Sequence, residues 1–565
     1  MQEIDPHYAL GKDKMPQRRS RLRRFVAIYY VLLALVLLAL IPPYISVNRY
    51  QRRIATSIGQ SLGRPVHLDH VTLNLLPLPG FTLENLVVSE DPAFGNEPVI
   101  RANSVHVRLR VSSLWSRQVE FSTISFTEPS LNLVRLADGK WNLDSILLQA
   151  ARIDAAPTAQ KNAGSTPRFP YIEATGARVN LKLGDEKIPL ALTDSEFALW
   201  LPNPQEWRVR IEAQPARTDT NASDTGTVRI EGTLARATSL NDVPIHLEAE
   251  WIGAPLGEAT RVLLGRDEGL RGEMTLTAKV LGTVGSSNIQ TRLQLNAVRR
   301  ADFVPEQPLS IDLECLAKAT EAFHAFSGIQ CSWPPSNLPS VPTLILSGTI
   351  PDVRRLETAS MKIEAKGISA GTMLDWMHVA SARVPPDVSA QGSLTGSVAY
   401  RPEALPGARW EGLIRVSGVT LQSPLSGLSP LTIGDAQVQS PVSAQELPQR
   451  GRSHVRTTQG APEESFLLAP TSLALGGKDP AVIDGRIDES GYKLHLAGTV
   501  ILSQLIALGN AIPPLGDGMQ EVLPTNHTAD PVRVDLTATR AWGGVQVWQD
   551  VTPHPTIPHA RSIHR

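Results

Sequence analysis

An excess of charge of either sign is missing from this chain, and aromatic residues and cysteines are scarce. Its 565 residues include 54 Lys+Arg against 55 Asp+Glu, a formal net charge of −1. That balance leaves no basic footprint with which to grip nucleic acid. Charged residues make up 19% and aromatics 5%, while Gly and Pro number 41 and 44. Many short strands and turns suit that profile better than long helices do. G-x-S-x-G, H-E-x-x-H, P-loop and G-x-G-x-x-G patterns are all lacking, so no nucleophile, paired metal ligands or nucleotide cradle can be nominated. His67, Asp69 and His70 lie close in sequence, but in a strand His70 points away from the other two, which disfavours a shared metal. His554, His559 and His564 near the end have neither partner cysteines nor helical spacing. We therefore expect no enzyme, no cofactor and no metal.

The two cysteines, Cys315 and Cys331, sit in the strand-like segments IDLECLA and GIQCSW. In an oxidising compartment a disulfide is the natural reading. Closing such a loop contributes about 3 kcal/mol in the chain-entropy account. Two buried thiols, packing as small hydrophobes, are the rival.

Only one long apolar run is present, FVAIYYVLLALVLLALI from Phe25 to Ile41, behind Arg18, Arg19, Arg21, Arg23 and Arg24. A membrane span needs roughly 17–25 residues, so we read residues 25–47 as a transmembrane anchor with Phe25, Ile28, Val31, Leu35, Leu38 and Ile41 on it. The basic segment 1–24 then stays in the cytoplasm and the rest of the chain lies outside. A cleaved signal peptide is the competing reading, but Ile41-Pro-Pro-Tyr-Ile45 offers no small-residue cleavage site.

Beyond the run, alternation of apolar and polar residues dominates. Val105, Val107, Leu109 and Val111 fall on one face, with His106, Arg108 and Arg110 on the other. Trp207–Ala213, Ile245–Trp251, Ile311–Cys315 and Val532–Ala538 repeat the pattern, so each reads as a strand with one apolar side. VRIEGTL, LILSGTI and LHLAGTV add a recurring Gly-Thr, with AKVLGTV and SLTGSV as variants, and a glycine inside a strand marks a bulge or bend. Short helices are expected over Asn48–Leu62, Pro255–Leu264, Gly371–Val379 and Ile501–Ala511. Residues 152–167 read as a flexible linker between an N-terminal β module (48–151) and a longer β-rich region (168–551), with a disordered tail over 552–565.

After the anchor, Leu62-Gly-Arg-Pro-Val-His-Leu68 precedes VTLNLLPLPGFTLENLVVSEDPAFG, then Glu128-Pro-Ser-Leu-Asn-Leu133, Asp138-Gly-Lys-Trp-Asn-Leu143 and Pro170-Tyr-Ile-Glu-Ala-Thr-Gly-Ala-Arg-Val-Asn180. This ordered set resembles the AsmA family of bacterial envelope proteins, which are similar to bridge-type lipid transfer proteins. The resemblance implies a mainly β fold: a single N-terminal transmembrane helix, then an elongated, curved, groove-like antiparallel sheet with a few short helices. It further implies attachment to the bacterial inner membrane with the bulk of the chain periplasmic. Membrane phospholipid would be the partner, moved toward the outer membrane, with contacts to other envelope proteins. On this basis Val105, Val107, Leu109, Val179, Leu181, Leu183, Ile245 and Leu247 are nominated as groove lining. His106, Arg108, Asn180, Lys182 and His246 are nominated as their water-facing neighbours. The alternative is a non-catalytic envelope scaffold that regulates outer-membrane protein assembly or targeting, its apolar faces closed on one another.

Overall fold

The computed structural model describes residues 25–34, 36, 48–74, 78–110, 121–136, 141–142, 170–183, 190–203, 206–237, 241–302, 309–321, 323–335, 341–353, 355–381, 383–405, 408–440, 465–523 and 530–551. The described residues are mainly β, with 26 strands that take in about 60% of them, and few helices. Residues 25–34 and 36 are helical and exposed, carrying Phe25, Ile28 and Val31, whereas Leu35, Leu38 and Ile41 lie outside the described residues. Among the described residues no helix is long and apolar enough to cross a membrane. Segments 1–24, 152–167 and 552–565 also lie outside them.

The chain divides into two compact units, the first built from residues 1–155, 162–188 and 194–204 and the second from the remainder. In the first unit, the helix Asn48–Leu62 is followed by β1 (Val66–His67), β2 (His70–Asn74), β3 (Gly80–Val88), β4 (Ile100–Leu109), β5 (Phe121–Thr127), β6 (Ser130–Arg135) and β7 (Tyr171–Leu183). β1 and β2 both pair antiparallel with β3, and β3 with β4. β4 continues antiparallel onto β5 and β6. β7 then runs parallel to both β5 and β6. This departs from the wholly antiparallel sheet expected, and it draws β7 into the first unit although its sequence lies past residues 152–167. Leu68, Val71, Leu83, Leu86, Ala102 and Val105 make the core, and Ile54, Ala55 and Ile58 of the helix close over it. Those three helical residues recur at i, i+1 and i+4, one face of a helix, which is why Asn48–Leu62 packs as a lid of that core.

β8 (Leu190–Asn203) precedes the second unit's run of hairpins: β9 (Glu206–Arg217), β10 (Thr227–Ala235), β11 (Pro244–Pro255), β12 (Leu270–Thr283), β13 (Ser286–Arg300), β14 (Leu309–Thr320), β15 (Ala325–Trp333), β16 (Thr343–Ile350), β17 (Ser360–Ser369), β18 (Ser389–Tyr400) and β19 (Trp410–Ser423). From β9 to β19 each strand pairs antiparallel with the next. β20 (Leu428–Ile433) and β21 (Ala436–Gln439) both pair with β19 and with β22 (Ser465–Leu473). The sheet then continues through β23 (Ala481–Asp488), β24 (Gly491–Val500), β25 (Val532–Ala541) and β26 (Val547–Asp550).

Helices cover this sheet only in places. Leu256–Leu264 and Ala370–Ala380 set Leu256, Ala259, Val262 and Val379 against Trp251, Met274 and Val298. Leu502–Ala511 packs Leu502, Leu505 and Leu508 on Leu428, Leu473, Leu496 and Leu536. Both helical positions follow from local signals. Leu256–Leu264 stops at Gly265, whose φ of 81° suits the left-handed conformation. Ala370–Ala380 starts at Ser369, whose hydroxyl accepts a bond from the Thr372 amide at 2.9 Å.

The Gly-Thr glycines are not bulges. Gly232 pairs in regular register with Val209 and Leu247, and Gly396 pairs with Ile414 and with Ala365, after which the β17 strand, not the glycine's own, carries the extra residue. A Cβ at Gly232 would stand 2.3 Å from the His246 carbonyl oxygen. One at Gly396, where φ is +149°, would stand 2.2 Å from that of Leu413. Close approach of the neighbouring backbone is what demands glycine at these two places.

Candidate functional site

The strands β9–β19 carry two unlike faces. On one, Ala213, Val228, Trp251, Leu276 and Leu293 are successive register partners from β9 to β13. Two residues along the strands comes a second row, Ile211, Ile230, Ala249, Ala278 and Thr291. Val209, Gly232, Leu247, Val280 and Ile289 make a third. The second row runs on through Cys315 and Cys331 to Leu346, Ile363 and Val398. Directly paired residues project to the same side, so these rows form one apolar surface.

The first row lies next to helical cover, since Val228, Trp251, Leu276 and Leu293 belong to the core under Leu256–Leu264 and Ala370–Ala380. The other two rows do not. From Val209 to Ile289 and from Ile211 to Thr291 their residues are half-buried, and none belongs to any of the three packed cores among the described residues.

The opposite face is polar and stitched by charge. Arg229 pairs with Glu212 at 3.2 Å, Lys279 with Glu248 at 3.1 Å and Arg292 with Asp312 at 2.6 Å. The Arg292 guanidinium holds the Asp312 carboxyl below its usual range through a direct hydrogen bond. Pairs this exposed contribute about 0–1 kcal/mol each, so they favour strand register more than overall stability.

Cys315 and Cys331 face each other across β14 and β15 and are joined by a disulfide at a sequence separation of 16. It lies in the second apolar row rather than on the polar side.

The nominated lining residues divide into groups. Ile245 and Leu247 lie on the long apolar surface, Ile245 buried and Leu247 half-buried. Val105, by contrast, is 2% exposed in the first unit's core, and Val107 packs against that core. The Asn48–Leu62 helix lies over that core. Leu109 is half-buried and pairs with Phe121. Val179 and Leu181 are half-buried beside Leu131 and Leu133 of β6. The side chain of Leu183, and Val111 as a whole, lie outside the described residues. His106, Arg108 and His246 are exposed. Asn180 is half-buried and donates to the Asn132 side chain at 2.9 Å. Lys182 is paired with Glu97. His67 contacts Asp69 at 3.2 Å, and Asn85 donates to the same carboxylate at 2.7 Å.

Alternation gives no sign of a second arrangement, a buried polar knot in the first unit. Asn142, wholly buried, donates to the Glu90 carboxylate at 2.6 Å and to the Asn132 carbonyl at 2.8 Å, and accepts from the Val134 amide at 3.1 Å. Arg64 donates to the Asn142 carbonyl at 3.3 Å and pairs with Glu90 and Asp91 at 3.7 and 3.2 Å. Asn132 in turn donates to the Pro98 carbonyl at 2.7 Å. Leu-Gly-Arg, Glu-Asp-Pro, Leu-Asn-Leu, Gly-Lys-Trp-Asn and Ala-Arg-Val-Asn thus each send polar side chains to a single place.

The described residues contain no group of His, Cys, Asp and Glu able to hold a metal ion. Fold and site define a mainly β protein whose long sheet is apolar on one side and ion-paired on the other. Residues 19–176 match the model of the AsmA family, so the stretch that holds Arg64, Glu90, Asn132 and Asn142 of the polar knot carries that family's signature. Comparisons with curated proteins and with solved structures found no match.

Proposed function

We propose that this is a non-catalytic, membrane-anchored protein of the bacterial envelope that handles phospholipid on the apolar face of β9–β19. One observation carries the reading: two rows of apolar side chains, from Val209 to Ile289 and from Ile211 to Thr291, share a face outside every packed core among the described residues. A sheet face of this kind needs an apolar cover, and acyl chains supply one without adding protein. The AsmA match supports an envelope setting. In this reading the Phe25–Ile41 run holds the chain in the inner membrane, residues 1–24 remain cytoplasmic, and the sheet lies in the periplasm, where it forms a groove leading toward the outer membrane.

The test is photocrosslinking in a bacterial host from Val280 and Ile289 on the apolar side, with Lys279 on the polar side as control. Lipid adducts from Val280 and Ile289 and none from Lys279 are expected. Adducts confined to this chain or to other envelope proteins would replace the lipid reading with a closed scaffold. For topology, reporter fusions after Asn180 are expected to be active outside the cytoplasm, and activity inside would overturn the compartment.

A further inference from the structure

The apolar face ends differently on its two sides. Where β17 leads into Ala370–Ala380 and β24 into Leu502–Ala511, helices cover it. At the other strand ends stand large side chains. Met361, Tyr400 and Trp410 are register partners across β17, β18 and β19. The Tyr400 and Trp410 rings lie 4.9 Å apart, and Trp410 reaches Phe466 of β22 at 6.2 Å. Phe466 pairs with Ile487, Ile487 with Tyr492, and Tyr492 meets Trp542 at 6.3 Å. These positions share the side of Val398, Leu468 and Leu494, so the belt continues the apolar face to its margin.

The belt is open to solvent: Trp410 is 39% exposed, Trp542 59%, and Val545 in the turn beside it 84%. Trp542 is also held in place, its indole N–H donating to the Asp488 carbonyl at 2.9 Å. The Tyr492 hydroxyl is bonded to the Gln546 side chain. Both rings have spent their polar atoms on the protein and offer apolar surface outward. At the same strand ends Lys362 pairs with Glu364, Arg401 with Glu411 and Arg486 with Asp488, while Arg540, opposite Tyr492, donates to the Gly544 carbonyl at 3.0 Å. Such pairs set up no field of one sign.

We propose that this aromatic edge docks on a lipid bilayer surface, an inference that rests on the lipid-handling reading above. Trp and Tyr rings favour the headgroup level of a bilayer. Matched charges complement a zwitterionic headgroup layer, whereas a charged protein partner would find no opposing field. Acyl chains lying on β17–β19 would then meet the bilayer across Met361, Tyr400 and Trp410 without crossing a polar rim.

The experiment uses the full chain reconstituted in phosphatidylcholine vesicles and measures capture of a second, protein-free phosphatidylcholine vesicle population. Capture is expected, and it should persist at about 0.5 M salt, where exposed charges are screened within a few Å. In Trp410→Ser/Trp542→Ser capture should fall at least roughly tenfold, and Val545→Ser, in an exposed turn, should lower it in the same direction. Absence of capture, capture abolished by salt alone, or equal capture by all three proteins would overturn the docking edge. Lipid crosslinking from Val280 is read in the same preparation. Crosslinks kept without capture defeat this inference alone, and loss of both defeats the lipid reading with it.

Discussion

Arg64 and Glu90 form an ion pair at 3.7 Å with side chains only 6% and 2% exposed. Asn142 ties the pair to β6, and Asp91 adds a second carboxylate at 3.2 Å. Removing one member strands the other charge in the interior, at a cost of about 3–5 kcal/mol. Arg64→Met is therefore expected to unfold or strongly destabilise the first unit, whereas Asp91→Asn, at a side chain 44% exposed, should cost about 1 kcal/mol or less. Chemical denaturation of the two variants decides; equal stability would show that the pair contributes nothing.

Val105 and Val280 both look like inward strand residues in sequence, yet they sit in different surroundings. Val105→Asp puts a charge under the Asn48–Leu62 helix and should destabilise by several kcal/mol. Val280→Asp falls on a half-buried row outside the cores and should leave the melting temperature within a few degrees while abolishing lipid crosslinking from Ile289. Matching losses of stability in the two variants would mean that the β12 face is packed.

His495 on β24 is held between Asp535 of β25 at 3.0 Å and Asp484 of β23 at 3.2 Å. The hydrogen bond to Asp535, followed by that to Asp484, raises the imidazole pKa above its ordinary value. Arg486 of β23, Arg533 of β25 and Lys493 of β24 share that face. A raised pKa means that this contribution is complete below about pH 6.5 and fades as pH rises through the folded value. The site is partly exposed, so the effect should be under about 1 kcal/mol. NMR titration should give a higher His495 midpoint in the native chain than in Asp535→Asn; an unchanged midpoint would remove the carboxylate as the cause.

Reducing the Cys315–Cys331 bond should lower stability by about 3 kcal/mol or less, the chain-entropy value for a loop of this length. Thermal melts of the full chain with and without reductant measure it, and Cys315→Ser/Cys331→Ser should reproduce the reduced value. No difference between the oxidised and reduced melts would contradict this expectation.

Much of this was legible in the sequence, because alternation and helix punctuation are local. The helices expected over Asn48–Leu62, Pro255–Leu264, Gly371–Val379 and Ile501–Ala511 are found within a residue of those bounds. The strand reading of Trp207–Ala213 and Val532–Ala538 agrees with β9 and β25. What alternation does not encode is the identity of the cover. Val105 and Leu247 read alike until the helix is seen over one and not the other. The glycines of the Gly-Thr strings gave no local clue that a neighbouring carbonyl, rather than a bulge, demands them. Nor could the bond from Asn180 to Asn132 be read locally, since the two lie 48 residues apart. The AsmA-like motifs were the available signal for the knot, but their convergence depends on pairings distant in sequence.

The parallel placement of β7 beside β5 and β6 also sets an order of events during synthesis. The first unit cannot close until the chain has emerged through Asn180, because the strand carrying that residue completes both the sheet and the bond to Asn132. Strands β9 to β19 face no such wait, as each finds its partner in the strand just made. A ribosome paused before residue 170 would hold out an unfinished first unit, whereas one paused within the second would hold out a shorter but properly paired sheet.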